Sequence, residues 1–234
     1  MVEKKWVETK WGRLCYLQTA PARMKVVFFH GGFSGAGMAR VFEKVFSERG
    51  YQIIAPYLPG HGPSFRIPRG FSYADLVKVM ADFVEVMGLE KTVAMGHSLG
   101  GRLTWDLRDK FRATVIISPM LLPMRKNIVQ AAMGLTYDYL SDVGFNYRRK
   151  MSNVWRNLTQ IMEIWGMIKS APAAELEKGR ARVLMCIGRA DHVLEYPEVK
   201  EVELDVSEGG HYVFLGRDQG LVTEKILGFV SKMT

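Results

Sequence analysis

The sequence predicts an α/β fold in which helices cover both faces of a mostly parallel β-sheet. Short apolar runs alternate along the chain with longer segments in which apolar residues recur at helical spacing. Several of the runs are apolar on both faces, as strands are when helices cover the sheet on either side. The chain has 234 residues, 48% of them hydrophobic and 24% charged, which suffices for the core of one domain.

The elements are predicted in the following order. An opening hairpin is expected from strands 4–9 and 13–19. The remaining strands are predicted at 26–29, 51–57, 91–95, 114–117, 183–187 and 199–206. Helices are predicted at 39–49, 73–87 and 222–232, and Ser72 with Asp75 three residues later resembles a capping pair for the second of them.

One segment, residues 120–178, interrupts the alternation because it contains no convincing strand. It holds six of the 14 methionines, and we expect a small helical cap plus one helix that covers the sheet. The core domain is then 1–119 together with 179–234. One apolar stripe in the segment is predicted to be core packing, and it consists of Val154, Trp155, Leu158, Ile161, Met162, Trp165 and Ile168.

Composition narrows the class of protein. The 32 basic and 24 acidic residues give a net charge of +8, but the basic residues are spread out and the densest run, 147–150, is short. Without a basic stripe or an aromatic platform, we expect no nucleic-acid partner. No signal-like N-terminal run and no long uncharged stretch occur, so a soluble, cytoplasmic protein without a transmembrane segment is expected. Cys15 and Cys186 are expected to be buried free thiols.

Residues 96–100, Gly-His-Ser-Leu-Gly, follow a predicted strand and open a predicted helix. Turning a strand into a helix over so few residues forces Ser98 into a strained conformation, and side chains two positions away would collide with neighbouring groups. Glycine at 96 and 100 relieves that conflict. The pattern predicts an exposed serine nucleophile at the carboxyl edge of the sheet.

A serine nucleophile needs a histidine base and a carboxylate that orients the base. His211 follows the last predicted strand and two glycines, and it is the candidate base; His97 should point away from Ser98, and His30 should make a structural hydrogen bond. Asp191 lies directly after a buried strand and is the candidate acid, since the order serine, acid, histidine is the one known for this elbow. Asp205 is the competing acid.

The candidate oxyanion donors are backbone amides. The N–H of Leu99, next after the nucleophile, is one donor. The second is expected from the glycine-rich loop at 30–37, with Phe33 as the choice and Gly32 as the alternative. That loop lacks the glycine spacing of a dinucleotide or P-loop site, so no phosphate cofactor is expected.

Taken together, five motifs resemble the α/β-hydrolase superfamily over nearly the whole chain. They are H-G-G-F-S-G at 30–35, P-G-H-G-P-S at 59–64, G-H-S-L-G-G at 96–101, G-R-A-D-H-V at 188–193 and G-G-H-Y at 209–212. Within the superfamily the chain looks like the small-capped carboxylesterases and monoacylglycerol lipases, and the resemblance implies the α/β-hydrolase fold. One departure is the short stretch between Asp191 and His211, which leaves room for a turn where relatives usually carry a helix.

The expected function is hydrolysis of a carboxylic ester with an apolar acyl group through an acyl-enzyme, with a small-molecule ester as partner and no cofactor or metal. The methionine-rich cap favours an adaptable apolar pocket, although those methionines could equally fill the core of the cap. Thioester hydrolysis, aminopeptidase action and carbon–carbon bond hydrolysis stay open on the same fold. A non-catalytic binding protein is a further alternative. The sequence does not determine the oligomeric state.

Overall fold

The structure is a computed structural model that describes residues 2–143, 160–176, 182–198 and 203–233. Within these ranges eight strands form one sheet. They are β1 (Glu3–Thr9), β2 (Gly12–Gln18), β3 (Met24–Phe29), β4 (Tyr51–Pro56), β5 (Val93–His97), β6 (Ala113–Ile117), β7 (Arg182–Gly188) and β8 (Glu203–Ser207).

The sheet has the strand order β1-β2-β4-β3-β5-β6-β7-β8. The hairpin of β1 and β2 and the contact of β2 with β4 are antiparallel, and every other pairing is parallel. The predicted mostly parallel sheet is therefore confirmed. Because β3, β5, β6, β7 and β8 run in one direction, their carboxyl ends share one edge, where an open α/β sheet places its site.

The α-helices within the described residues are α1 (Arg40–Glu48), α2 (Tyr73–Val86), α3 (Leu99–Asp106), α4 (Ile128–Val143), α5 (Ile161–Lys169) and α6 (Gln219–Ser231). The predicted cap of α2 is confirmed, because the Ser72 side chain accepts the N–H of Asp75 while the Asp75 carboxylate accepts the N–H of Ser72. No helix in the described part of the chain is long and apolar enough to cross a membrane.

The two largest hydrophobic cores of the described residues lie on opposite faces of the sheet. The strand pleat divides β3 between them, since Val26 and Phe28 pack in one core and Val27 and Phe29 in the other. The first core also contains buried residues of α1 and α6, and the second contains those of α2, α3 and α5. Helices therefore cover both faces, as the doubly apolar strands predict. Cys15 and Cys186 are buried and free.

Three predicted features need correction or lie beyond the described residues. The strand expected at 91–95 is β5, two residues later, because Lys91 has a left-handed φ of 62° and belongs to the preceding turn. Met162, expected in an apolar packing stripe, is 66% exposed, whereas Ile168 of the same stripe is buried in the core beside Ile164 and Met167 of α5. Val154, Trp155 and Leu158 lie outside the described residues, as does the 199–202 part of the last predicted strand.

The segment predicted as a cap contains α4 and α5 and no strand within the described residues 120–143 and 160–176. Helix α5 packs with α2 and α3 in the core, which is the position expected for the sheet-covering helix. The division of the chain into 1–119 plus 179–234 and 120–178 stays a prediction. The connection from Asp191 to β8 shows no helix in its described residues, 191–198.

Candidate active site

The turn around Ser98 joins β5 directly to α3. Ser98 has φ 55° and ψ −116°, a conformation that L-residues rarely adopt. Its own N–H donates to the carbonyl of Ile117 at 2.9 Å, and its carbonyl accepts the N–H of Arg102 and of Met120. The neighbouring strand and the helix thus hold the strained residue in place, as the sequence predicts for an elbow.

The glycines on either side of Ser98 are required by close backbone approach. A Cβ on Gly96 would lie 2.1 Å from the carbonyl oxygen of Gly100 and 2.3 Å from Oγ1 of Thr104. A Cβ on Gly100 would lie 2.1 Å from the carbonyl oxygen of Phe29. Since carbon and oxygen atoms cannot approach so closely, the predicted reason for glycine at both positions is confirmed.

His211 and Asp191 lie together beyond the ends of β8 and β7. Nδ1 of His211 donates to Oδ2 of Asp191 at 2.8 Å, and the His211 and Asp191 side chains are 0% and 2% exposed. Oδ1 of Asp191 accepts the N–H groups of Val193 and Leu194. The competing acid, Asp205, lies within β8 and faces Lys225 at 3.8 Å.

The charge state of Asp191 follows from its partners. Burial by itself would raise the pKa of this carboxyl, but the His211 charge and the hydrogen bonds from His211, Tyr196 and Leu194 outweigh it and hold the pKa at about 2. An ionised Asp191 favours the His211 tautomer with its proton on Nδ1, which leaves the lone pair of Nε2 able to accept a proton. Among the described residues, Nε2 is a buried atom with no hydrogen-bond partner, so no bond from Ser98 Oγ is formed in this structure.

Two other histidines make the structural contacts that the sequence predicts or allows. Nε2 of His97 donates to the carbonyl of His211 at 3.0 Å, and the two rings lie 4.7 Å apart. His30 accepts the N–H of Leu58 on Nε2 at 3.0 Å, as predicted for a structural hydrogen bond. Burial lowers the pKa of His97 to about 3 and that of His30 well below its ordinary value, so both rings are neutral at physiological pH.

The predicted oxyanion donors differ in availability. The N–H of Leu99 is the first of α3 and has no intrahelical partner. The N–H of Phe33, a residue with φ 59°, donates to Nε2 of His61 at 3.3 Å. Gly32, the alternative donor, adjoins the core, because a Cβ there would lie 2.8 Å from Cδ1 of Ile168. The choice between Phe33 and Gly32 stays open.

Apolar side chains of α5 lie against the glycine loop that passes beside Ser98. A Cβ on Gly31 would lie 3.1 Å from Cβ of Ser98, so the loop passes directly alongside this residue. The ring of Phe33 stacks on Trp165 of α5, with 6.4 Å between ring centroids.

In the part of the chain that the structure describes, no group of three His, Cys, Asp or Glu side chains could hold a metal ion.

Sequence reasoning missed two residues of this site. The hydroxyl of Tyr196 donates to Oδ2 of Asp191, the same oxygen that His211 contacts. Asp138 of α4 accepts the backbone N–H of His192 and of His211. Neither residue belongs to a motif, and nothing in the local pattern around it signals the contact.

Comparison with known proteins supports the same fold. The model of the alpha/beta hydrolase family matches residues 26–224, and the chain therefore belongs to this family. A Mycoplasma pneumoniae protein whose name contains the words esterase/lipase is 31% identical over 108 residues, covering 42% of this chain and 38% of that protein. Haloalkane dehalogenase 2 of Mycobacterium bovis is 27% identical over 122 residues, covering 49% and 41%. The chain thus spans less than half the length of these relatives.

Solved structures resemble the chain over nearly its whole length. A bacterial membrane phospholipase A superposes with a TM-score of 0.79 at 17% identity, covering 99% of this chain and 86% of the other. The esterase EaEST of Exiguobacterium antarcticum superposes with a TM-score of 0.75 at 15% identity, covering 98% and 100%. At these identities the likeness establishes the alpha/beta hydrolase fold.

Proposed function

We propose that this protein is a serine hydrolase that cleaves carboxylic esters with an apolar acyl group. The observation that carries the proposal is the 2.8 Å bond between His211 and Asp191 at the sheet edge where the strained elbow presents Ser98. Among the relatives, the dehalogenase shows that the fold hosts other reactions, so the argument depends on the site of this chain.

In the proposed reaction, Oγ of Ser98 attacks the ester carbonyl and its proton moves to Nε2 of His211. Asp191 keeps the ring oriented and stabilises the imidazolium that forms. The tetrahedral intermediate then collapses, the bond to the alcohol oxygen breaks, and Nε2 returns its proton to the leaving alkoxide. Water repeats the sequence on the acyl-enzyme and releases the acid and Ser98.

Backbone donors would stabilise the negative charge of the intermediate. The N–H of Leu99 at the start of α3 is the first donor, and the helix dipole adds to it. The second donor is the N–H of Phe33, with Gly32 as the alternative. To bind the substrate oxygen, the Phe33 N–H has to give up its present hydrogen bond to Nε2 of His61. Each such donor is worth about 3 kcal/mol of transition-state stabilisation in serine hydrolases.

The proposed preference for an apolar acyl group is based on the apolar side chains that pack against the glycine loop next to Ser98. On the α5 side, Phe33 of the loop stacks on Trp165, and Ile168 lies against Gly32. Apolar side chains with a few directed polar groups are the usual lining of a small-molecule site.

The test is hydrolysis of nitrophenyl esters with acyl chains from short to long. Wild-type protein is expected to turn over part of the series, and Ser98→Ala is expected to lose at least about 10³-fold in kcat/KM. Ser47→Ala, which removes an exposed hydroxyl from α1, is the matched control and should keep full activity. Equal rates for folded Ser98→Ala and wild type would refute the nucleophile, and an optimum at charged acyl groups would refute the apolar preference.

A further inference from the structure

Asp138 is a buried carboxylate outside the proposed triad. It lies on α4, and its side chain is 1% exposed. Oδ2 accepts the backbone N–H of His192 at 2.9 Å and that of His211 at 3.1 Å, while Oδ1 contacts Nδ1 of the His192 ring at 2.6 Å. A single carboxylate oxygen therefore connects two loops that are far apart in sequence.

The two loops are the ones that carry the proposed acid and base. His192 directly follows Asp191, and His211 is itself the base. On the sheet side the loops are joined by the N–H of Ala190, which donates to the carbonyl of Gly209 at 3.1 Å. On the other side they are joined through Asp138.

Both loops have a further contact with Asp138 or with the segment that carries it. A Cβ on Gly210 would lie 2.9 Å from Cγ of Asp138, so a larger residue before the base would displace the carboxylate or the loop. Lys126, which precedes α4, donates to the carbonyl of His192 and ties the same loop to the same segment. A buried charge needs compensation, and here backbone N–H groups and the His192 ring provide it.

We propose that Asp138 is a positioning residue of the active site, which sets the distance between Asp191 and His211 from helix α4. The inference rests on the proposed function, because it assigns a role in the same triad. The bond from Nδ1 of His211 to Asp191 is formed only if the two loops keep their relative position. Asp138 holds the two loops in this position through bonds to the backbone N–H groups of His192 and His211, which do not depend on the side chains of those residues.

The test compares Asp138→Ala, Asp138→Asn and His192→Ala in the full chain. Asp138→Ala frees both N–H groups, and a loop displacement of about 1 Å is expected to lower kcat on the order of 10²-fold with KM nearly unchanged. In Asp138→Asn a neutral oxygen accepts the two N–H groups more weakly than the carboxylate does, so an intermediate loss of about tenfold in kcat is expected. Loss of the His192 ring should cost at most a few-fold, because both backbone bonds remain.

Thr136→Ala, an exposed change on the same helix, is the control expected to keep wild-type kcat and melting temperature. Folded Asp138→Ala with wild-type kcat overturns the proposal. So does a His192→Ala variant that loses as much as Asp138→Ala, since the ring pair would then be the functional contact. If Asp138→Ala loses activity because it unfolds, the decision falls to Asp138→Asn, which preserves the shape of the side chain.

Amide hydrogen exchange separates this inference from the proposed function. The N–H groups of His192 and His211 are expected to be protected in the wild type and to exchange at least about tenfold faster in Asp138→Asn. If wild-type protein hydrolyses no ester and Ser98 is not labelled by a fluorophosphonate, the proposed function fails, and exchange alone decides whether Asp138 joins the loops. Equal exchange in wild type and Asp138→Asn overturns the inference even if the enzyme is active.

Discussion

Replacing Gly100 by alanine tests the close packing beneath Ser98. The added Cβ would lie 2.1 Å from the carbonyl oxygen of Phe29, 2.5 Å from its carbonyl carbon and 2.6 Å from the carbonyl oxygen of His30. An ordinary contact needs more than 3 Å, so α3 has to move by about 1 Å away from β3. Such overpacking costs about 1–3 kcal/mol of stability, and a displacement of this size at Ser98 lowers kcat on the order of 10²-fold.

The assay is urea unfolding together with ester hydrolysis, with Gly228→Ala as the matched control. Gly228 lies in α6, and a Cβ there meets nothing within 4 Å. The control should gain up to about 1 kcal/mol, because alanine favours a helix over glycine, and should keep wild-type kcat. If Gly100→Ala unfolds at the urea concentration of the wild type and keeps its kcat, the packing argument for the elbow is wrong.

Three further predictions concern an acid partner, a helix cap and pH. Tyr196→Phe removes one hydrogen-bond donor to Asp191 and should lower kcat about tenfold with little change in KM. A kcat equal to that of the wild type in steady-state ester hydrolysis would contradict this. Ser72→Ala removes the cap of α2 and should cost about 1 kcal/mol in urea unfolding without changing kcat, whereas an unchanged midpoint would rule the cap out as a stabilising feature. Burial lowers the pKa of His30, His61 and His97 in the folded chain relative to the unfolded chain, so unfolding takes up protons below pH 6.5. As the pH drops, the free energy of unfolding therefore falls by up to about 1.4 kcal/mol per pH unit for each ring. This fall continues down to about pH 4 for His61 and about pH 3 for His97. Urea midpoints that stay level from pH 7 to pH 5 would contradict this reading of His30, His61 and His97.

Local patterns made much of the fold predictable. The alternation of apolar strands with amphipathic helices depends on neighbouring residues alone, and so does the Ser72 cap with its partner three positions on. The elbow was predictable for the same reason, since the steric conflict at Gly96 and Gly100 arises within five residues. The position of β5 was off by two residues because only the three-dimensional turn shows the left-handed φ of Lys91.

Contacts between distant segments were not predictable. Asp138 meets residues 54 and 73 positions further along the chain, and α4 has no pattern that marks one carboxylate as buried. The bond from Phe33 to His61 depends on how two loops meet across the sheet edge. A sequence pattern can name the loop that supplies an oxyanion donor, but the amide that points into the site depends on that packing.

The central claim is that Ser98 is activated by the His211–Asp191 pair. Intact-protein mass spectrometry after incubation with a fluorophosphonate tests it most directly, in wild type, Ser98→Ala and His211→Ala. The expected result is one adduct on wild-type protein, mapped to Ser98, none on Ser98→Ala, and labelling of His211→Ala slower by at least about 10³-fold. No adduct on folded wild-type protein, or labelling of His211→Ala at the wild-type rate, would contradict the claim.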